Sequence, residues 1–217
     1  MTRTLNRLAR RAPAAVAATA VTTLSAAFLL QASNGYDPAA NSNINKVTPT
    51  NTLGLWTANG TNVLEYLPGQ LSAGGNPATP PPMMLNSGVF GAPQGLTFDA
   101  AGNLWVMDPS GVVKGKATPA LFEFSAAQVA QLKTSGSPEP IATITSTALN
   151  FPQQSMFDVY GNQWVSDRNN NTVLVFTTAQ LAMKGTNNLN PAMVIRSAAL
   201  TRPEYLASRS LATPSSP

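Results

Sequence analysis

Residues 98–108 read FDAAGNLWVMD, and residues 157–167 read FDVYGNQWVSD. The two stretches start 59 residues apart and agree at turn and strand positions together. Asp followed by Gly-Asn is a turn signature: the carboxylate accepts backbone hydrogen bonds just ahead of it. Gly reaches positive φ without a Cβ penalty, and Asn tolerates the same region. Beyond the turn, Trp105 and Trp164 alternate with Val106 and Val165, the two-residue period of a strand. Each stretch therefore reads as a turn with a strand leaving it.

The match extends in both directions. Upstream, Pro93-Gln94 corresponds to Pro152-Gln153, and QGLTFD and QSMFDV read as strands entering the turn. Downstream, ALFEFSAAQV (120–129) resembles TVLVFTTAQL (172–181), and NVLEYLPGQL (62–71) is an earlier copy. All three carry apolar residues, an aromatic, three spacers, a Gln and an aliphatic. A weaker fourth strand, IATIT (141–145), is matched by AMVIR (192–196). A repeat of 50 to 60 residues built from β units predicts an all-β solenoid or propeller. Four antiparallel strands joined by short polar turns predict the blade of a β-propeller.

The pattern P-x-G-L-x-F-D-x-x-G-N-L-W-V-x-D, followed by N-x-V-L-x-F, resembles the NHL-type repeat. That repeat occurs in propellers related to gluconolactonases and streptogramin lyase. The resemblance covers residues 53–207 and implies four-stranded antiparallel blades: a partial blade at 53–85, full blades at 93–145 and 152–196, and the first strand of another at 202–207. Closed propellers need at least four blades and such relatives usually show about six, so about three blades imply an incomplete or open ring. Truncation, side-by-side assembly of copies and an open arc are the alternatives, with truncation preferred.

Composition agrees with a turn-rich β protein. Charged residues make up only 10% of 217, well under the usual quarter, and neutral polar residues with Pro and Gly take their place. Arg3, Arg7, Arg10 and Arg11 supply the net charge of +4, and the remainder balances nine bases against nine acids. No basic patch is left for phosphates, which argues against a nucleic-acid partner. The absence of Cys and His excludes thiolate and Ser-His-Asp chemistry within the chain and removes the commonest transition-metal ligand.

The first eleven residues are basic, residues 12–30 carry no charge, and the sequence then turns polar. This is the layout of a secretory signal spanning 1–32, with cleavage after Ala32. It implies an extracytoplasmic protein, periplasmic or secreted. The alternative is a retained anchor, since about 19 uncharged residues approach a membrane span; only then would the membrane be a partner. Residues 33–52 read as a polar linker, 208–217 as a disordered tail, and Pro80-Pro81-Pro82 as a stiff loop.

The candidate ligand-binding residues are Gln94, Asp108, Gln153, Asp167, Arg168 and Asn169. Asp108 and Asp167 end their strands on the rim opposite the Gly-Asn turns, and Gln94 and Gln153 reach the same side. The loop DRNNN (167–171) is the most polar of the set. Asp99 and Asp158 could offer oxygens to Ca²⁺, but neither turn holds a second carboxylate, and capping is the preferred reading. No other cofactor is expected. Trp105 and Trp164 read as packing between blades rather than as sugar-stacking platforms. In lactonase-like relatives a Glu ahead of the first strand helps hold a divalent cation; here Ala92 and Phe151 stand there. The lyases rely on His, which is absent. The expectation is a non-catalytic binding or scaffold module with an unknown protein or small-molecule ligand. A partial or degraded lactonase- or lyase-like enzyme with a cation at the channel mouth is the alternative. Homodimerisation through open blade edges is a further possibility.

Overall fold

Two glycines held in the left-handed region, Gly102 at φ +81° and Gly161 at +78°, sit in the two Gly-Asn turns of the repeat. Around them the computed structural model describes residues 54–67, 70, 83–132 and 136–208, all within the compact unit 39–217. The expected leader, the whole of the linker, the triple proline and residues 209–217 lie outside the described residues.

Three main antiparallel sheets follow one another along the chain. The first contains β1 (Leu55–Asn59), β2 (Asn62–Tyr66) and β3 (Met83–Leu85) in that order. The second runs β4 (Gly95–Phe98), β5 (Leu104–Asp108), β8 (Ala120–Phe124) and β9 (Ala142–Thr145). A small hairpin, β6 (Val112–Val113) with β7 (Lys116–Ala117), interrupts it between β5 and β8. The third runs β10 (Pro152–Phe157), β11 (Gln163–Asp167), β12 (Thr172–Phe176) and β14 (Met193–Arg196). None of these sheets closes on itself. The repeat units of the sequence are thus the sheets of the structure.

Besides the small hairpin, one strand of the main sheets was not expected. β13 (Gly185–Asn188) leaves the third repeat and adds in parallel to β9, so the second sheet has five strands rather than four. A smaller version occurs one repeat earlier, where Gly136 bridges Leu85 in parallel. There Asn86 N–H donates to Gly136 O at 2.8 Å, and Gly136 N–H donates to Met84 O at 2.9 Å. The segment after each helix therefore covers the outer edge of the preceding sheet, which would otherwise present unpaired backbone groups. The segment 202–207, expected as a strand, pairs with none among the described residues.

Strand alternation sends the two faces of the second sheet to different cores. Leu104, Val106, Phe122 and Phe124 join Val63 and Leu85 of the first sheet. Trp105, Met107, Leu121 and Ile144 join Val165, Leu174 and Phe176 of the third. Aromatic contacts repeat with the sheets. Trp56 meets Phe98 edge-on at 5.7 Å, and Trp105 meets Phe157 edge-on at 6.2 Å. The expectation that Trp packs between repeats holds for Trp105, which is buried. The first strands of successive sheets also touch. A Cβ on Gly95 would collide with the backbone of Gln153, so only Gly permits that approach.

Two short helices finish the third strands: α1 (Ala126–Gln131) and α2 (Thr178–Leu181). Both begin with a capping box. Gln128 Oε1 accepts from Ser125 N–H at 2.8 Å, and Gln180 Oε1 accepts from Thr177 N–H at 2.9 Å. Each Gln also donates through Nε2 to the segment that follows, to Glu139 O at 2.7 Å and Asn190 O at 2.6 Å. In the first repeat Gln70 Oε1 accepts from Leu67 N–H at 2.9 Å. The recurring Gln is a clamp that caps a helix and holds the next stretch of chain.

Candidate functional site

The acidic residues of the repeat divide between two ends of the second strands. At the turn end, Asp99 Oδ1 accepts from the amides of Ala101 and Asn103, both at 2.9 Å. Asp99 Oδ2 accepts from Asn103 Nδ2 at 2.8 Å and Trp105 Nε1 at 3.2 Å. Asp158 repeats the arrangement with Tyr160, Asn162 and Trp164, the indole lying at 3.0 Å. The Asn then passes the order on: Asn103 Oδ1 accepts from Ala126 N–H at 3.0 Å, and Asn162 Oδ1 from Thr178 N–H at 3.2 Å. The motif D-x-x-G-N-x-W is therefore a hydrogen-bond knot tying the turn to the strand and to the helix start. The turn was legible in the sequence; the indole donor was not, because it depends on the strand's exit direction.

Burial raises the Asp158 carboxyl, but donors from Trp164, Asn162 and the amides of Asn162 and Tyr160 together outweigh it and hold it below the usual carboxylate range. A carboxyl depressed in the folded state stabilises the fold above its unfolded pKa, near 3.9, and loses that contribution as pH falls through the folded value. Glu65 has the opposite sign: burial outweighs the hydrogen bond from Trp56 and raises it. Asp158→Asn should accordingly flatten the loss of stability between about pH 5 and pH 2, measured by urea denaturation at each pH. An unchanged slope in the variant would show that the knot does not discriminate charge.

At the opposite rim stand the six candidates. Asp108 is completely buried. Its Oδ2 accepts from Gly91 N–H at 2.8 Å, and its Oδ1 from Ala92 N–H at 3.0 Å and Ser110 N–H at 2.9 Å. Asp167, also completely buried, repeats this with Asn150 at 2.6 Å, Phe151 at 3.2 Å and Asn170 at 3.1 Å. Each carboxylate gathers the amides of the lead-in to its own first strand. Gln94 is exposed, and its Nε2 donates to Ala92 O at 3.1 Å. Gln153 is half-buried, and its carbonyl abuts Gly95, which brings the lead-ins of β4 and β10 together.

Arg168 is half-buried with its guanidinium 5.6 Å above the Phe151 ring, within cation–π range. It forms an ion pair with Glu204 at 3.3 Å whose geometry falls short of a hydrogen bond. Asn169 is exposed in the same loop. The structure therefore brings Gln153, Asp167, Arg168 and Asn169 to one rim with Gln94 and Asp108 beside them. The two acids face inward, and the amides and Arg168 line the surface. Among the described residues no three of His, Cys, Asp and Glu lie together as a metal-ligating group.

A separate cleft of about 220 Å³ opens between the β6–β7 hairpin and β13, lined by Val89, Val113, Lys114, Glu139, Thr143 and Gly185. Sequence reading missed it, because it depends on the inserted hairpin and on the parallel strand. No protein-family model matches the chain, and no curated protein matches it either. Among the described residues no helix is long and apolar enough to cross a membrane.

Proposed function

We propose that the three sheets are successive blades of an NHL-type β-propeller, and that the chain, exported by its leader, is a non-catalytic binding or scaffold module. Three features support the blade reading: the repeated order of four antiparallel strands, the contact between first strands, and the Trp–Phe edge shared by both inter-sheet junctions. The observation that carries the functional reading is the fate of the repeat carboxylates. Asp99, Asp108, Asp158 and Asp167 all spend their oxygens on nearby amide and indole donors. What the candidate rim residues leave to a partner is neutral amides and an Arg168 already paired with Glu204, chemistry that suits recognition rather than acid–base work.

Thermal unfolding of the chain with and without millimolar Ca²⁺ or Mg²⁺ tests this. A ligand that binds only the folded state raises its stability by mass action, by about 2.7 kcal/mol at a hundredfold excess over Kd. The expected result is an unchanged Tm. A rise of several degrees with either cation would replace this reading with a lactonase-like metal site.

A further inference from the structure

The two ends of the described fold are incomplete in complementary ways. In the second and third sheets the Trp-bearing strand is flanked by a first strand, β4 against β5 and β10 against β11. In the first sheet the corresponding strand β1, with Trp56 in the place of Trp105 and Trp164, pairs only with β2 among the described residues. Among the described residues nothing pairs with its other edge, and an edge left open is a template for strand addition.

At the far end, residues 202–207 repeat the opening of a first strand, with Pro203 where Pro93 and Pro152 stand. Their position is that of a first strand too. At the second junction the carbonyl of Gln153 lies against Gly95. One repeat on, Gln154 replaces Gly95 and Glu204 replaces Gln153. There the single Ser166 Oγ–H lies within donating distance of both Gln154 O, at 3.2 Å, and Glu204 O, at 3.0 Å. Glu204 thus lies beside the Gln154–Ser166 pair of the third sheet, and Gln153 beside Gly95, which pairs with Met107, in the second. Among the described residues 202–207 has no Trp-bearing strand to pair with, and the first sheet offers one.

Three of the seven large exposed apolar residues among the described residues fall where such a junction would cover them. Leu55 on β1 and Met193 on β14 are each 53% exposed, and Tyr205 is 75% exposed. Leu55 occupies in its strand the place of Gln163, which is wholly buried between the second and third sheets. Met193 pairs with Val175, on the outer face with Trp164. Trp164 is half-buried, and among the described residues no aromatic ring meets it as Phe98 and Phe157 meet the other two tryptophans.

We propose that residues 204–207 of one copy add as an antiparallel strand to the free edge of β1 in a second copy, and that the exchange is reciprocal about a twofold axis. The repeat register places Tyr205 opposite Ala58, as Gly95 lies opposite Met107 and Gln154 opposite Ser166. Backbone pairing supplies the affinity, and the two apolar sheet faces supply the fit. This goes beyond the proposed binding role: it rests on the equivalence of the three sheets and is independent of any ligand at the rim.

Because the chain has no cysteine, engineered thiols report without background. Chains carrying Ala58→Cys alone and Tyr205→Cys alone, mixed and oxidised, should form a covalent heterodimer. Light scattering should give the unmodified chain twice its single-chain mass, and Leu206→Pro, which removes a backbone donor, should shift it to the single-chain mass. A single-chain mass for the unmodified protein at tens of micromolar overturns the proposal, and does so even if a variant misfolds. So does a dimer that never yields the 58–205 disulfide. A 58–205 disulfide formed only within one doubly substituted chain also overturns it, as does occupation of the β1 edge by residues 39–53 of the same chain. None of these results bears on the cation titration.

Discussion

Replacing Lys184 with Met is expected to destabilise the protein by about 3 kcal/mol, although the lysine itself is half-exposed. Its ammonium lies 2.6 Å from Glu123 Oε2, and the Glu123 side chain is only 2% exposed. Glu123 stands on β8 opposite Trp105, on the face that packs against the third sheet. Removing the lysine leaves a buried carboxylate with no counter-charge. The repeat indicates the remedy, since Val175 holds the equivalent place in the third sheet. Glu123→Val should be mild, because its stranded partner can turn to water. The double variant Glu123→Val, Lys184→Met should recover most of the loss, so the two substitutions will be strongly non-additive in urea denaturation. If Lys184→Met alone costs less than about 0.5 kcal/mol, water reaches Glu123 and the pair is a surface one.

The same pair shows what the sequence made legible. Turns, strand order and repeat length depend on neighbours in the chain, so Asp99, Gly102 and Asn103 announced them without the fold. β13 was invisible because Gly185-Thr186-Asn187-Asn188 has no apolar alternation. It is a strand only because the edge of β9 lies beside it and Lys184 is anchored on Glu123. Residues 202–207 fail in the converse way: the pattern of a strand is present, but a strand also needs a partner edge. The strand-end position of Asp108 and Asp167 could be read from the repeat, yet no local pattern distinguishes an acid open to a ligand from one enclosed by amides. That depends on residues 91–92 and 150–151, brought to Asp108 and Asp167 from 16 or 17 positions upstream.

Asp108→Ala and Asp167→Ala should each cost about 4 kcal/mol, among the largest effects of any single change in this chain. Each carboxylate is fully buried and takes amide hydrogens from three residues. A hydrogen bond to a charged group contributes about 1.5–3 kcal/mol, and each donor left unpaired adds its own desolvation cost. Partial hydration of the loosened lead-in keeps the total below the simple sum. Asn should be a milder replacement than Ala, since its carbonyl retains one acceptor while its NH₂ opposes an amide donor. Asn169→Ala, exposed on the same rim, should stay within about 0.5 kcal/mol. The ranking also separates two roles for the rim acids. If they served a ligand, Asp→Asn would spare the fold and abolish binding. If they hold the lead-ins, the urea midpoint falls first, and any loss of binding follows from loss of the rim itself. Equal midpoints for Asp108→Ala and Asn169→Ala would overturn the structural assignment. A gap of several kcal/mol would mean that Gln94, Gln153, Arg168 and Asn169 are the only candidates left free to meet a ligand directly.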